Sequence, residues 1–391
     1  MDLQPQIDKA RQTIKSDSYS ISIGELISQY DNNEIEIHPE FQRLFRWSLE
    51  QKSRLIETIL LGIPLPSIFV MQRQDQVWEV IDGLQRISTI LEFVGKLKSP
   101  DGNKVAPSKL LGTEYLPGLK GIVYESDKPE EHSFTPEQRL ALRRAKINVT
   151  ILLPESDIRA RGELFDRLNS GSSQATAQEV RYARFVMEDR AFAEKIKALS
   201  TDKNFTESIS LTERLTNEAY DVELVCRFIA IADADESELA KINSIEDFLN
   251  TRLLRLIEKS NSGMKEKAGT EISAPRQNLD SYARLFKRTF AVISKSIGED
   301  AFRRFDSRDK RFKGAFSVSA FEFVTCGIAE NIDYWEAAIR TNSGIEKLVK
   351  KIELAWSKEE FRLPSGRGQS ASNRLKLIVP FAREYFSGVD Q

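Results

Sequence analysis

The sequence predicts an α+β chain, with a mixed α/β N-terminal domain followed by an all-helical C-terminal domain. Three observations predict it. At 391 residues the chain exceeds one ordinary core, because single cores stop growing near roughly 250–300 residues. From Glu34 to about Leu153, short apolar runs bounded by turn residues alternate with helical patterns. After Leu153 every clear period lies near the helical repeat, and no convincing alternating strand follows.

The elements follow in order. EIEIHP (34–39) reads as a short strand. SLEQKSRLIETILLG (48–62) is a helix with Ser48 and Gln51 as a capping box, closed by Gly62. Pro64 and Pro66 fix the entry into the apolar run SIFVMQR, Gln74–Gln76 form a turn, and VWEVI is the next strand. A helix is expected from Gly83 to about Leu97, followed by the polar loop KSPDGNKVAPSK, while the stretch 120–133 has no readable pattern. In TPEQRLALRRA, Thr135 is the N-cap, Pro136 the first helical residue and Gln138 the second half of a capping box, leading into the strand KINVTILL. A helical pair is expected at Asp157–Asn169 and Thr176 to about Leu199, split by SGSSQA. Further amphipathic stretches run through Val222, Phe248, Tyr282, Phe321, Trp335 and Leu375. GMKEKAGTEISAPRQ (263–277) reads as a linker or mobile loop.

Composition narrows the chemistry. The fractions, 40% hydrophobic and 30% charged, are those of a soluble globular chain, and no apolar run approaches the roughly 20 residues that span a bilayer. The N-terminus has no basic stretch followed by an apolar one, so a cytoplasmic location is expected. Cys226 and Cys326 lie far apart in apolar helical segments and read as core residues. With His38 and His132 as its only histidines, the chain cannot build a His-rich metal site. A net charge of −2 means that any contact with nucleic acid must come from local patches. Two exist. RRFDSRDKRFK (303–313) holds six basic and two acidic residues, and FRLPSGRGQSASNRLKLIVPFAR (361–383) holds five basic and none acidic. Within them Arg303, Arg304, Lys310, Arg311, Arg367, Arg374 and Lys376 are the candidate DNA contacts, although such runs also suit solvated helix faces.

In EVIDGLQRIST (79–89) a strand delivers Asp82 and Gly83 into a helix N-terminus, whose first N–H groups lack internal partners and attract negative charge. Gly83 permits close approach of a phosphate, Gln85 can donate or accept, and Arg86 offers a planar fork. Asp82 would repel a phosphate unless it holds a Mg2+ ion or orients a water. The same pattern suits a plain turn in which Asp82 caps the helix and Arg86 lies on the surface. In PEFQRLFRW (39–47), Gln42, Arg43 and Arg46 stand among Phe41, Phe45 and Trp47, rings that could stack a base or anchor a loop. In ELFDRLNSGSSQATAQEVRYARF, Arg167 and Asn169 precede Gly171, and Thr176 with Glu179 caps the next helix, as in an ordinary helix–loop–helix corner. The only Glu-x-Lys, Glu50-Gln51-Lys52, opens a predicted helix.

Phe41-Gln42-Arg43, Trp47, LIETILLGIPLPSIFV, VIDGLQRISTI and FDRLNSGS with QEVRYA, taken in order, resemble the N-terminal domain of GmrSD-type modification-dependent restriction proteins over about Ser22 to Phe185. The resemblance implies a ParB/sulfiredoxin-like fold and a domain division of 1–185 and 186–391. It also implies that the motif written Asp-Gly-Gln-Gln-Arg in the family binds and hydrolyses an NTP with Mg2+, in defence against foreign or modified DNA. Asp82, Gly83, Gln85 and Arg86 match that motif, and Leu84 replaces its first Gln. On this basis Asp82, Gln85 and Arg86 are the expected catalytic residues, and Asp82 is the expected metal ligand. Gln42, Arg43, Gly83, Arg86 and Asn169 are the expected nucleotide contacts. The His-dependent nuclease domain that relatives often carry is not expected here. The nuclease or effector would then be a separate chain, and an oligomer is left open. A non-catalytic DNA-binding or adaptor protein built on the same platform is the alternative.

Overall fold

The computed structural model describes residues 3–4, 15–37, 47–99, 102–156, 177–217, 219–261, 278–366 and 368–388. The chain divides into two compact units, Met1–Ala175 and Thr176–Gln391. The division falls before Phe185 because the helix α5 (Ala177–Glu188) packs within the second unit. Phe185 meets Phe192 edge-on at 5.3 Å, and Arg181 Nε donates to Asn250 at 2.7 Å.

The first unit is built on a mixed five-stranded sheet in the order β1-β5-β3-β4-β2. Its strands are β1 (Ser16–Ser22), β2 (Ile35–Glu36), β3 (Ile68–Gln72), β4 (Trp78–Asp82) and β5 (Lys146–Leu152). β5 runs antiparallel to β1 and parallel to β3, while β4 runs antiparallel to β3 and parallel to β2. β1 was not expected. Only Ile21 is buried along it, its Ser and Asp residues disfavour strands, and its pairing with β5 supplies the order. Among the described residues four helices lie with the sheet: α1 (Ile23–Asp31), α2 (Leu49–Leu60), α3 (Leu84–Phe93) and α4 (Pro136–Arg144). Both expected capping boxes form, Ser48 with Gln51 and Thr135 with Gln138, so the first N–H groups of α2 and α4 are satisfied locally. α3 stops at Phe93 rather than near Leu97, since the chain turns through Val94 and Gly95. Ile56, Ile87, Leu91, Leu142 and Val149 are buried in one cluster, each burial contributing about 1.5–3 kcal/mol.

The second unit is mainly helical, with aromatic clustering at its centre. α6 (Arg190–Ser200), α7 (Tyr220–Ile231), α8 (Leu279–Ser296), α9 (Val318–Glu330) and α10 (Ala371–Tyr385) are among its helices. The single helix expected from Thr176 to Leu199 is broken at Asp189, which caps α6 by accepting from the Phe192 N–H at 3.0 Å. The expectation that no strand follows Leu153 is also corrected. β6 (Arg304–Asp306) and β7 (Arg311–Lys313) form an antiparallel hairpin inside the basic run 303–313. Strands of three residues are too short to show an alternating period. Cys226 on α7 and Cys326 on α9 are buried and unpaired, and burial pushes both thiols up to about 12. The expected linker at 263–277 lies outside the described residues. Among the described residues no helix is long and apolar enough to cross a membrane.

Candidate functional site

β4 runs out at Asp82, and Gly83 turns the chain into α3 with φ +96°. That left-handed conformation favours glycine, and the space does too, because a Cβ at Gly83 would lie 2.5 Å from Ile68 Cγ2. Close to this corner the β3–β4 register shifts. Phe69 pairs with Asp82 but Val70 pairs with Val80, an irregularity that alters the direction of the strand end carrying Asp82. No side chain among the described residues caps α3. Asp82 is therefore not the helix cap, and among the described residues no capping oxygen answers the partial positive charge of the first turn.

The Asp82 carboxylate instead meets Arg86 one turn on, with Oδ2 3.2 Å from Nη2. Arg86 is neither an open fork nor a surface residue. Its side chain is 12% exposed, Nη2 also donates to the Ser67 carbonyl at 3.2 Å, and Nη1 donates to the Pro66 carbonyl. Burial pushes its guanidinium below the ordinary value, and Asp82 works against that. Arg86 thus ties the proline-fixed approach to β3 onto the corner between β4 and α3. Pro66 and Ser67 enter the site through their carbonyls, a role their side chains did not advertise. The usable signal was Pro64 and Pro66, which hold the chain extended with carbonyls available to a donor.

Gln85 supplies the link to the second stretch. Its Oε1 accepts from the Trp47 N–H at 3.3 Å, so the end of PEFQRLFRW reaches the first turn of α3. Trp47 and Leu84 both pack, half-buried, against the core of the unit, and Leu84 fills its motif position with apolar packing. Gln42, Arg43 and Asn169 lie outside the described residues, as do Arg167 and Gly171. Lys52 of the Glu-x-Lys triplet pairs with Glu92 of α3 at 2.7 Å, so its ammonium belongs to an ion pair between helices. Among the described residues no group of three or more His, Cys, Asp or Glu could hold a metal ion. Asp82 alone suits a Mg2+ that takes its remaining oxygens from phosphates and water, the usual mode for that ion at nucleotide sites.

The candidate DNA contacts separate into distinct environments. Arg304, Lys310 and Arg311 are exposed on the β6–β7 hairpin. Arg303 sits at its base, 3.4 Å from Asp300 and 3.7 Å from Glu299, with a hydrogen bond to Ser210. Arg374 is held by an ion pair, its Nε 2.8 Å from the fully buried carboxylate of Glu322. Lys376 is partly exposed on α10, and Arg367 lies outside the described residues.

Residues 23–186 match the family model described as GmrSD restriction endonuclease, N-terminal domain. No curated protein and no solved structure matches the chain.

Proposed function

We propose, from the match of residues 23–186 to the GmrSD restriction endonuclease N-terminal domain, that the chain is a nucleotide-binding component of a restriction system, acting against foreign or modified DNA on a ParB/sulfiredoxin-like scaffold. The observation that supports it most is the corner at Gly83, where a helix N-terminus that no described side chain caps, Gln85 and a balanced Asp82–Arg86 pair meet. A triphosphate seated there takes N–H groups of the α3 first turn and the Gln85 side chain. Arg86 is a positioning residue in the ligand-free state. With a nucleotide bound, Arg86 would be the residue to hold its phosphates and Asp82 the residue to hold Mg2+. Both charges then remain compensated, and neither is left a bare ion. When bound, Mg2+ neutralises phosphate charge and supports hydrolysis. Gln42, Arg43 and Asn169 are assigned to the same ligand by the family resemblance, and DNA cleavage is assigned to a separate nuclease or effector chain.

One observation favours a second reading. The Arg86 guanidinium is already engaged by Asp82 and two carbonyls, a structural role that a non-catalytic platform would also need. Titrating the full chain with ATP, GTP, CTP and UTP plus Mg2+ separates the two. The expected result is saturable binding of at least one NTP. Gln85→Ala then weakens it by roughly 5- to 10-fold, one hydrogen bond's net worth, and Asp82→Ala abolishes turnover. Folded wild-type protein that binds no nucleotide overturns the proposal and leaves the platform.

A further inference from the structure

The β6–β7 hairpin combines a firm base with an unneutralised rim. At the base, the Ser317 N–H donates to the Phe302 carbonyl at 2.8 Å, and Phe302 is buried among Phe290, Phe316 and Phe321. Along the hairpin, Phe305 pairs with Phe312, their rings 5.1 Å apart on one face. Residues 304, 306, 311 and 313 stand on the other face. The two acidic residues serve the hairpin itself. Asp306 accepts from the Arg308 N–H at 2.9 Å and, with Asp309, holds Lys313 at 2.6 and 2.7 Å. That leaves Arg304, Arg308, Lys310 and Arg311 exposed, with no ion pair among the described residues. Charged rims are usually laced with opposite charge. Here the acids are tied up, and four cations point outward from one short ribbon.

We infer that this hairpin is a duplex-DNA contact, in which Arg304, Arg308, Lys310 and Arg311 neutralise backbone phosphates. A two-stranded ribbon has the width that a major groove admits, and planar guanidinium groups match phosphate oxygens. The charge alone selects a polyanion. The choice of DNA rests on the restriction-family reading, and the nucleotide site has no part in it. Arg308 joins the contact set, whereas Arg303, already held by Asp300, Glu299 and Ser210, does not.

The test is the salt dependence of binding between the full chain and a random-sequence 30-base-pair duplex, without nucleotide. Each neutralised phosphate contributes a slope of roughly −0.9 in log affinity against log salt. Replacing all four cations by Ala should therefore flatten the slope by about 3.6. Affinity lost between 50 and 200 mM salt should shrink by about 150-fold. Asp309→Asn, which removes one opposing charge without touching the turn N–H contacts of Asp306, should tighten binding. Unchanged affinity and slope in the fourfold variant, or weaker binding by Asp309→Asn, overturns the inference. So does a poly-glutamate peptide that competes as well as the duplex at equal charge. Because the assay contains no nucleotide, its failure is separable from a failure to bind NTP.

Discussion

Glu322→Ala lowers the unfolding free energy by about 3–5 kcal/mol, the cost of leaving buried charge without its partner. Glu322 is fully buried on α9 and holds two guanidinium groups, Arg227 Nη1 at 2.8 Å and Arg374 Nε at 2.8 Å. Burial by itself would push the Arg227 guanidinium down, but the carboxylates of Glu322 and Glu223 outweigh it and raise it. Without Glu322, Arg227 keeps Glu223, at 2.7 Å, as its ion-pair partner among the described residues, and Arg374 loses the carboxylate it is bonded to. Urea unfolding measures the loss. Replacing the group together, Arg227→Met, Glu322→Leu, Arg374→Met and, so that its carboxylate is not stranded, Glu223→Gln, should recover most of it, since a well-packed apolar substitute is often neutral or better. A Glu322→Ala variant as stable as wild type would show that the pairs contribute little.

Gly83→Ala is the second large effect, expected at about 2–5 kcal/mol. Left-handed backbone costs an alanine roughly 1–2 kcal/mol, and overpacking adds about 1–3 kcal/mol. The clash is specific, with Ile68 Cγ2 at 2.5 Å, so Gly83→Ala should cost less in an Ile68→Ala background. A thermodynamic cycle measures that coupling. Equal costs in the two backgrounds would place the penalty in the backbone alone. NTP binding should fall with the single variant as the corner reshapes.

What the sequence made legible was local. The capping boxes at Ser48–Gln51 and Thr135–Gln138, and the strands around Val70, Val80 and Val149, declare themselves within a few residues and form as expected. Features set by distant partners did not. β1 exists through β5, and the basic run 303–313 becomes a hairpin through a turn built by Asp306. Arg374 looked like a surface cation, and only Glu322, fifty-two residues earlier, ties it into an ion pair. A lone Glu in the apolar run SAFEFVTCG was the available sign, because a buried carboxylate needs a cation. At the candidate site, the residue types of the Asp82–Arg86 segment were readable. The engagement of Arg86 by the Pro66 and Ser67 carbonyls depends on tertiary placement, which no spacing within EVIDGLQRIST encodes.

The most direct test of the central claim is amide hydrogen exchange across the full chain, with and without a saturating NTP plus Mg2+. Binding at the corner predicts new protection concentrated in the first turn of α3, at Leu84, Gln85 and Arg86, whose N–H groups precede the first intrahelical bond from Ile87 to Gly83. Protection elsewhere, with these amides exchanging as before, would contradict it.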